Sequence, residues 1–138
     1  MSFVVDTNVL SELRKPIERA DANVQAWVRS VPHVMQFLSV VTILEIEVGV
    51  ARVERRDPRQ GGALRRWFED RVLVEFEARI LPIDMAIARE TARMHVPDPR
   101  PERDAFIAAT ARVHGMTVVT RNVADFAPLG VPVVNPWD

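Results

Sequence analysis

The sequence predicts an α/β sandwich built on a mainly parallel sheet, and two observations lead there. Short apolar, β-prone runs alternate with amphipathic helical stretches along almost the whole chain. Parallel neighbours need a crossover between them, usually a helix, and that need produces such alternation. The opening run, Phe3-Val4-Val5, is apolar at every position, which suits a strand covered on both faces.

Taken in order, the first strand ends at Asp6-Thr7-Asn8, which reads as a turn. After Pro16, residues 21–31 carry Val24, Trp27, Val28 and Val31 at helical spacing until Pro32 stops them. Residues 34–40 read as a second strand. Thr42-Ile43-Leu44-Glu45 then opens a helix to about Arg55, and Asp57-Pro58 with Gly61-Gly62 reads as a turn. A long helix follows, with Leu64, Trp67, Phe68 and Val72 on one face and Arg65, Arg66, Glu69 and Asp70 toward water.

Ile80-Leu81-Pro82-Ile83 is a brief extended piece, and Asp84 can cap the next helix, on which Ile87, Thr91 and Met94 align. Prolines 97, 99 and 101 make residues 96–103 a surface loop that ends at Asp104, where helix resumes until Gly115. Residues 116–120 are a strand, 121–126 a turn or short helix, and 131–134 a last short strand.

A chain of 138 residues, 48% hydrophobic and 27% charged, is expected to form one domain over residues 1–138. With no cysteine, a disulfide framework and a thiolate metal site both drop out, and a reducing cytoplasm fits. No apolar run approaches the roughly 20 residues of a membrane span, and the first residues carry no basic leader. The expectation is therefore a cytoplasmic protein with no membrane association. A net charge of −1 gives no global pull on nucleic acid and argues against a passive binder.

Ligands of parallel sheets collect at the carboxyl ends of the strands. The polar residues leaving those ends are Asp6 and Asn8, Thr42 and Glu45, and Thr120, Asn122 and Asp125. Each acid has a plain structural reading. Asp6 can cap or turn, Glu45 can close a capping box with Thr42, Asp104 can be an N-cap, and Asp125 can end a turn. Jointly, four carboxylates aimed at one sheet edge would repel one another unless a divalent cation neutralised them, and hard oxygen donors favour Mg²⁺ or Mn²⁺. Such a set supports phosphodiester hydrolysis.

Four segments stand in order: Val4-Val5-Asp6-Thr7-Asn8-Val9-Leu10, Ser39-Val40-Val41-Thr42-Ile43-Leu44-Glu45 with Gly49, Asp104-Ala105-Phe106-Ile107-Ala108-Ala109-Thr110-Ala111, and Thr120-Arg121-Asn122-Val123-Ala124-Asp125-Phe126. Together they resemble the motifs of PIN-domain ribonucleases, specifically VapC-type toxins of the FitB-like group, along nearly the whole chain. The resemblance implies a PIN-like three-layer sandwich, a mainly parallel central sheet flanked by helices. It implies a metal-dependent endoribonuclease, the toxin of a type II toxin–antitoxin pair, hydrolysing RNA with a metal-activated water. Asp6, Glu45, Asp104 and Asp125 become its catalytic, metal-binding set, Asn8 and Thr120 its polar supports, and Mg²⁺ its cofactor with Mn²⁺ as substitute. A homodimer and a cognate VapB-type antitoxin, which wraps the toxin and often inserts a basic side chain near the acids, are implied likewise.

Arg52, Arg55, Arg56, Arg59, Arg65 and Arg66 crowd one stretch and could grip RNA, an acidic segment or only water. The three histidines, His33, His95 and His114, have no ligand spacing. Two rivals remain. An aspartyl-phosphate phosphatase would use Asp6-Thr7-Asn8-Val9 as its nucleophile motif but needs a downstream lysine, and Lys15 is the only one. A non-catalytic interaction module would keep the fold and use the acids as caps.

Overall fold

The computed structural model describes all of residues 1–138. Its order is β1 (Phe3–Val5), α1 (Thr7–Leu13), α2 (Ala22–Ser30), β2 (Gln36–Ser39), α3 (Val40–Arg56), α4 (Pro58–Trp67), α5 (Leu73–Glu75), β3 (Ile80–Leu81), α6 (Met85–Met94), α7 (Glu102–His114), β4 (Thr117–Val119), α8 (Val123–Phe126) and β5 (Val133–Val134). The five strands lie in the order β3-β2-β1-β4-β5, and every pairing is parallel. The expected mainly parallel sheet is thus wholly parallel.

Strand β1 is central and buried along its length. Alternation sends Val4 to one face, where it packs with Ile87, Ile107, Val118 and Phe126 from α6, α7, β4 and α8. Phe3 and Val5 go to the other, with Val9, Val24, Leu38, Val50 and Phe68. Two apolar layers therefore clamp one sheet, and helices close both sides. Beyond its last residue β1 continues by one bond: the Asp6 amide donates to the Val119 carbonyl at 2.9 Å. That bond pins Asp6 to the carboxyl edge of the sheet.

Several expected boundaries shift. Residues 7 and 8 are the first turn of α1 rather than a turn, because the Asp6 side chain accepts from the Thr7 amide and starts a helix. Strand β2 is shorter than residues 34–40, since His33–Met35 form a 3₁₀ turn and helix begins at Val40. Ser39, not Thr42, caps α3, its Oγ accepting from the Val41 amide at 3.0 Å. The capping box assigned to Thr42 and Glu45 does not form, which frees Glu45 for another partner.

The predicted turn at Gly61-Gly62 is helical. Asp57 caps α4, with Pro58 in its first turn. Gly61 sits where α4 crosses α3, and a Cβ there would lie 2.3 Å from Glu54 Cα. Its lack of a side chain lets the two backbones meet. From Trp67 the chain continues through a π turn, Phe68–Val72, into α5, as the long helical pattern predicts. Arg65 is not turned simply to water: it bonds both oxygens of Glu47 and both of Glu54, tying α4 to α3, and its side chain is only 27% exposed.

Strand β3, the Asp84-capped helix α6 and the loop before α7 follow the sequence reading. Helix α7 begins at Glu102, so Asp104 lies inside its first turn and is not the N-cap. It ends at Gly115, whose φ of 66° places it in the left-handed region that glycine tolerates. Strand β5 is confined to Val133–Val134. No helix is long and apolar enough to cross a membrane.

Candidate functional site

The carboxyl edge of β1, β2 and β4 collects the polar residues that leave those strands. Asp6 follows β1 and is only 5% exposed. Its Oδ1 accepts from the Thr7 amide at 2.8 Å, and its Oδ2 accepts from the Thr120 hydroxyl at 2.8 Å and from Asn8 Nδ2 at 3.3 Å. Thr120 leaves β4 and is fully buried. Its hydroxyl donates to Asp6 while accepting from Asn8 Nδ2 at 3.1 Å and from the Asn122 amide at 3.0 Å. Asn8 and Thr120 therefore orient Asp6 directly.

Glu45 stands on the second turn of α3 and accepts from the Thr7 hydroxyl at 2.8 Å. Asp104 comes from the first turn of α7 and takes no protein hydrogen bond at its carboxylate. Asp125, on α8, is exposed. Electrostatics link all four. Burial pushes Asp6 above the ordinary aspartate value, the Thr120 and Thr7 hydrogen bonds pull it back, and the charge of Asp125 raises it again. Burial also raises Glu45, with Thr7 opposing, Asp6 adding and Arg103 lowering. Asp104 is pushed up to about 6, by burial first and then by Asp6, Asp125 and Glu45.

The fold thus gathers the four acids that the sequence singled out, though not as a finished cage. No three histidine, cysteine, aspartate or glutamate side chains stand close enough to form a complete metal site. Asp6, Glu45 and Asp104 line an open cleft of about 500 Å³; Asp125 does not line it, but its charge raises both Asp6 and Asp104. The donor set suits a hard divalent cation: oxygen donors only, mutually repelling, and one of them, Asp104, raised to about 6 by burial and by the charges of its neighbours.

Six lining residues escaped the sequence reading: Thr7, Ser11, Glu12, Arg14, Arg121 and Trp137. Thr7 was legible only as a turn residue, yet it bridges Asp6 and Glu45. Glu12 is a fifth carboxylate, but its oxygens are occupied by Lys15 Nζ at 2.9 Å and the Asp21 amide at 2.8 Å. The Lys15 bond, then the Asp21 amide, hold it below its ordinary value. Glu12 therefore fastens the segment after α1 and is not a fifth metal donor.

A second cavity of about 860 Å³ adjoins the cleft, and Arg14 and Lys15 line both. Of the clustered arginines, Arg56 and Arg66 reach it, joined by Arg71, Leu13, Ile17 and Trp67. Arg65 is spent on ion pairs within the protein.

Asp104 provides a first test. Folding raises its pKa from 3.8 to about 6, so in metal-free protein it stabilises fully below the unfolded value, and that contribution is lost as pH rises through the folded one. Asp104→Asn is expected to match wild type in thermal melts near pH 3.8 and to become progressively more stable than wild type up to pH 6 and beyond. A variant less stable than wild type at pH 7 in chelator would contradict this sign.

Comparison with known proteins agrees with this geometry. The family model described as PIN domain matches residues 3–127. The chain is 34% identical to Toxin FitB of Neisseria gonorrhoeae over 141 residues, covering 98% of each chain. It is 33% identical to VapC ribonuclease Y4jK of Sinorhizobium fredii over 145 residues, covering 99% of this chain and 98% of the relative. Among solved structures it is similar to FitAB bound to an IR36 DNA fragment, with a TM-score of 0.88 and 33% identity, over 99% of this chain and 96% of that one.

Proposed function

The chain belongs to the PIN-domain family, and from that premise we propose that it is a divalent-metal-dependent endoribonuclease, the toxin of a type II toxin–antitoxin pair. The observation that carries this reading is the convergence of Asp6, Glu45 and Asp104 on one polar cleft, with the charge of Asp125 felt by Asp6 and Asp104. The relatives' names, toxin and ribonuclease, support the same reading. Residues 1–138 act as a single PIN domain in it, working in the cytoplasm as a homodimer.

Asp6, Glu45, Asp104 and Asp125 would hold Mg²⁺, or Mn²⁺ in its place. Such a cation supplies a lowered pKa for an attacking water and charge stabilisation at the phosphate. The chain's own residues do the rest. Thr120 and Asn8 fix the Asp6 carboxylate, and Thr7 donates to Glu45 while its amide holds Asp6. Neither carboxylate must reorganise far to meet a ligand, which is what supporting hydrogen bonds achieve around metal sites. Asp104 must release its proton before it can serve as a donor.

The cognate VapB-type antitoxin is the protein partner. A cleft with this excess of carboxylates suits a basic side chain from that partner as an alternative to the cation. The phosphatase rival finds no support in the cleft. Lys15 is engaged by Glu12, so no free lysine serves a phosphatase.

Cleavage of total RNA by the purified protein tests the proposal, with Mg²⁺, with Mn²⁺ and with chelator. Cutting is expected with either ion and none with chelator. Divalent-ion binding by calorimetry should weaken about tenfold per pH unit below 6 as Asp104 takes its proton. No cutting and no ion binding by folded protein would overturn the enzyme reading in favour of an interaction module.

A further inference from the structure

Trp137 is the one hydrophobic residue among the twelve that line the acidic cleft. It is only partly buried and firmly placed. Its amide donates to Asn135 Oδ1 at 3.0 Å, its carbonyl accepts from Asn23 Nδ2 at 2.9 Å, and its side chain packs against the apolar layer that holds Phe3 and Val5. Over that ring, 5.1 Å from the centroid, lies the guanidinium of Arg121. Arg121 is exposed and lines the same cleft, and its backbone amide donates to Asn8 Oδ1 at 3.3 Å, one residue beyond Thr120.

The Arg121 guanidinium forms no ion pair within 4.0 Å and no side-chain hydrogen bond to the protein. A cation with no carboxylate paired to it, the aromatic ring it lies over and an acidic centre thus share one cleft. A substrate chain carrying a negative phosphate at each unit meets repulsion from Asp6, Glu45 and Asp104, so a positive group at the rim favours its approach. Nucleobases of single strands stack on aromatic rings and guanidinium planes, while arginine positions phosphates.

We propose that Arg121 and Trp137 are the nucleotide-positioning pair of this cleft: Arg121 takes a phosphate of a single-stranded RNA and Trp137 stacks against an adjoining base. The proposal rests on the ribonuclease reading and adds a substrate contact to it. Both are positioning residues and neither takes part in the bond exchange.

The test uses a labelled single-stranded RNA oligonucleotide and the Asp6→Asn protein in chelator, so that binding is read without cleavage. Trp137→Ala in that background is expected to raise Kd about 5- to 150-fold, the range for one lost base stack. Trp137→Phe should keep most of the affinity, and Arg121→Ala should weaken binding and flatten its salt dependence. In the otherwise wild-type protein, Trp137→Ala should raise KM by the same factor with kcat within about threefold.

Unchanged RNA affinity in folded Trp137→Ala would overturn the pair even if the wild type cuts RNA. So would a loss of affinity that phenylalanine does not restore and that tracks a fall in Tm. Loss of antitoxin affinity with RNA affinity intact would assign the pair to the protein partner and overturn the proposal. Oligonucleotide binding that depends on Trp137 in a protein that cuts no RNA would uphold the pair and remove the ribonuclease reading instead.

Discussion

Asp6→Asn is expected to reduce metal-dependent RNA cleavage by about 100-fold or more while leaving the folded protein at least as stable as wild type at pH 7. The two halves have separate causes. Asp6 is the most buried of the four acids and sits where the carboxyl edges of β1 and β4 meet, so no neighbour can take over its place. Its charge is also a burden on the fold. Burial holds its pKa above the unfolded value, so in chelator the ionised side chain costs stability once pH exceeds the folded pKa.

Asparagine removes that cost and can keep the cap, since its carbonyl can accept from the Thr7 amide as the carboxylate does at 2.8 Å. Its amide nitrogen cannot accept from Thr120 and Asn8 as Oδ2 does, so those two bonds must be remade by rotation of the Thr120 hydroxyl and the Asn8 amide. Paired melts in chelator and cleavage assays in Mg²⁺ separate the two effects. Activity within a few-fold of wild type would remove Asp6 from the metal set. Lost activity with a collapsed melt would show that the carboxylate is structural.

Gly61→Val is expected to destabilise the protein by about 3 kcal/mol and to lower Tm by roughly 10 °C. The first atom added would fall 2.3 Å from Glu54 Cα and 2.6 Å from its amide nitrogen. Backbone cannot rotate out of the way as a side chain can, so α4 must lift from α3. Lifting it pulls Arg65 from its bonds to Glu47 and Glu54 and loosens Phe68 in the layer against Val5 and Leu38.

Gly62 is the control. A Cβ there meets only Arg66 Nη1 at an ordinary 3.6 Å, and alanine is the better helix former by about 1 kcal/mol. Gly62→Ala should therefore leave Tm unchanged or raise it. Equal losses at both positions would mean that the crossing of α3 and α4 does not depend on Gly61. Because α3 carries Glu45, the Gly61 variant should also bind the divalent ion more weakly, which calorimetry can read on the fraction that folds.

Where pattern is local, the sequence was readable. Phe3-Val4-Val5 announced a strand buried on both faces because every position is apolar, and the structure buries all three. Asp84 with Ile87, Thr91 and Met94 announced a capped amphipathic helix, and Gly115 its neighbour's end. The misses came where two local readings compete. Asp6-Thr7-Asn8 fits a turn and a helix start equally well, and Gly61-Gly62 fits a turn and a close helix crossing. Ser39 and Thr42 are both plausible caps, and only the position of β2 in the sheet decides between them.

The site divides along the same line. Residue types and their order along the chain already named Asp6, Glu45, Asp104 and Asp125 as candidates, because acids at strand ends are visible one element at a time. What those acids do to one another depends on distances between segments up to 119 positions apart in the numbering of Asp6 and Asp125, and such distances exist only once β1, β2 and β4 pair in parallel. Sheet order therefore decided that Thr7 joins Asp6 to Glu45, that Thr120 holds Asp6, that Asp104 keeps its proton to about 6, and that Trp137 lines the cleft beside Arg121. By itself the sequence determined the alternation of elements, the two-faced burial of β1 and the inventory of acids, since periodicity and composition act over a few residues. Tertiary structure alone decided their mutual charge, their hydrogen-bond partners and the aromatic rim, since Coulomb and hydrogen-bond energies depend on separation in space.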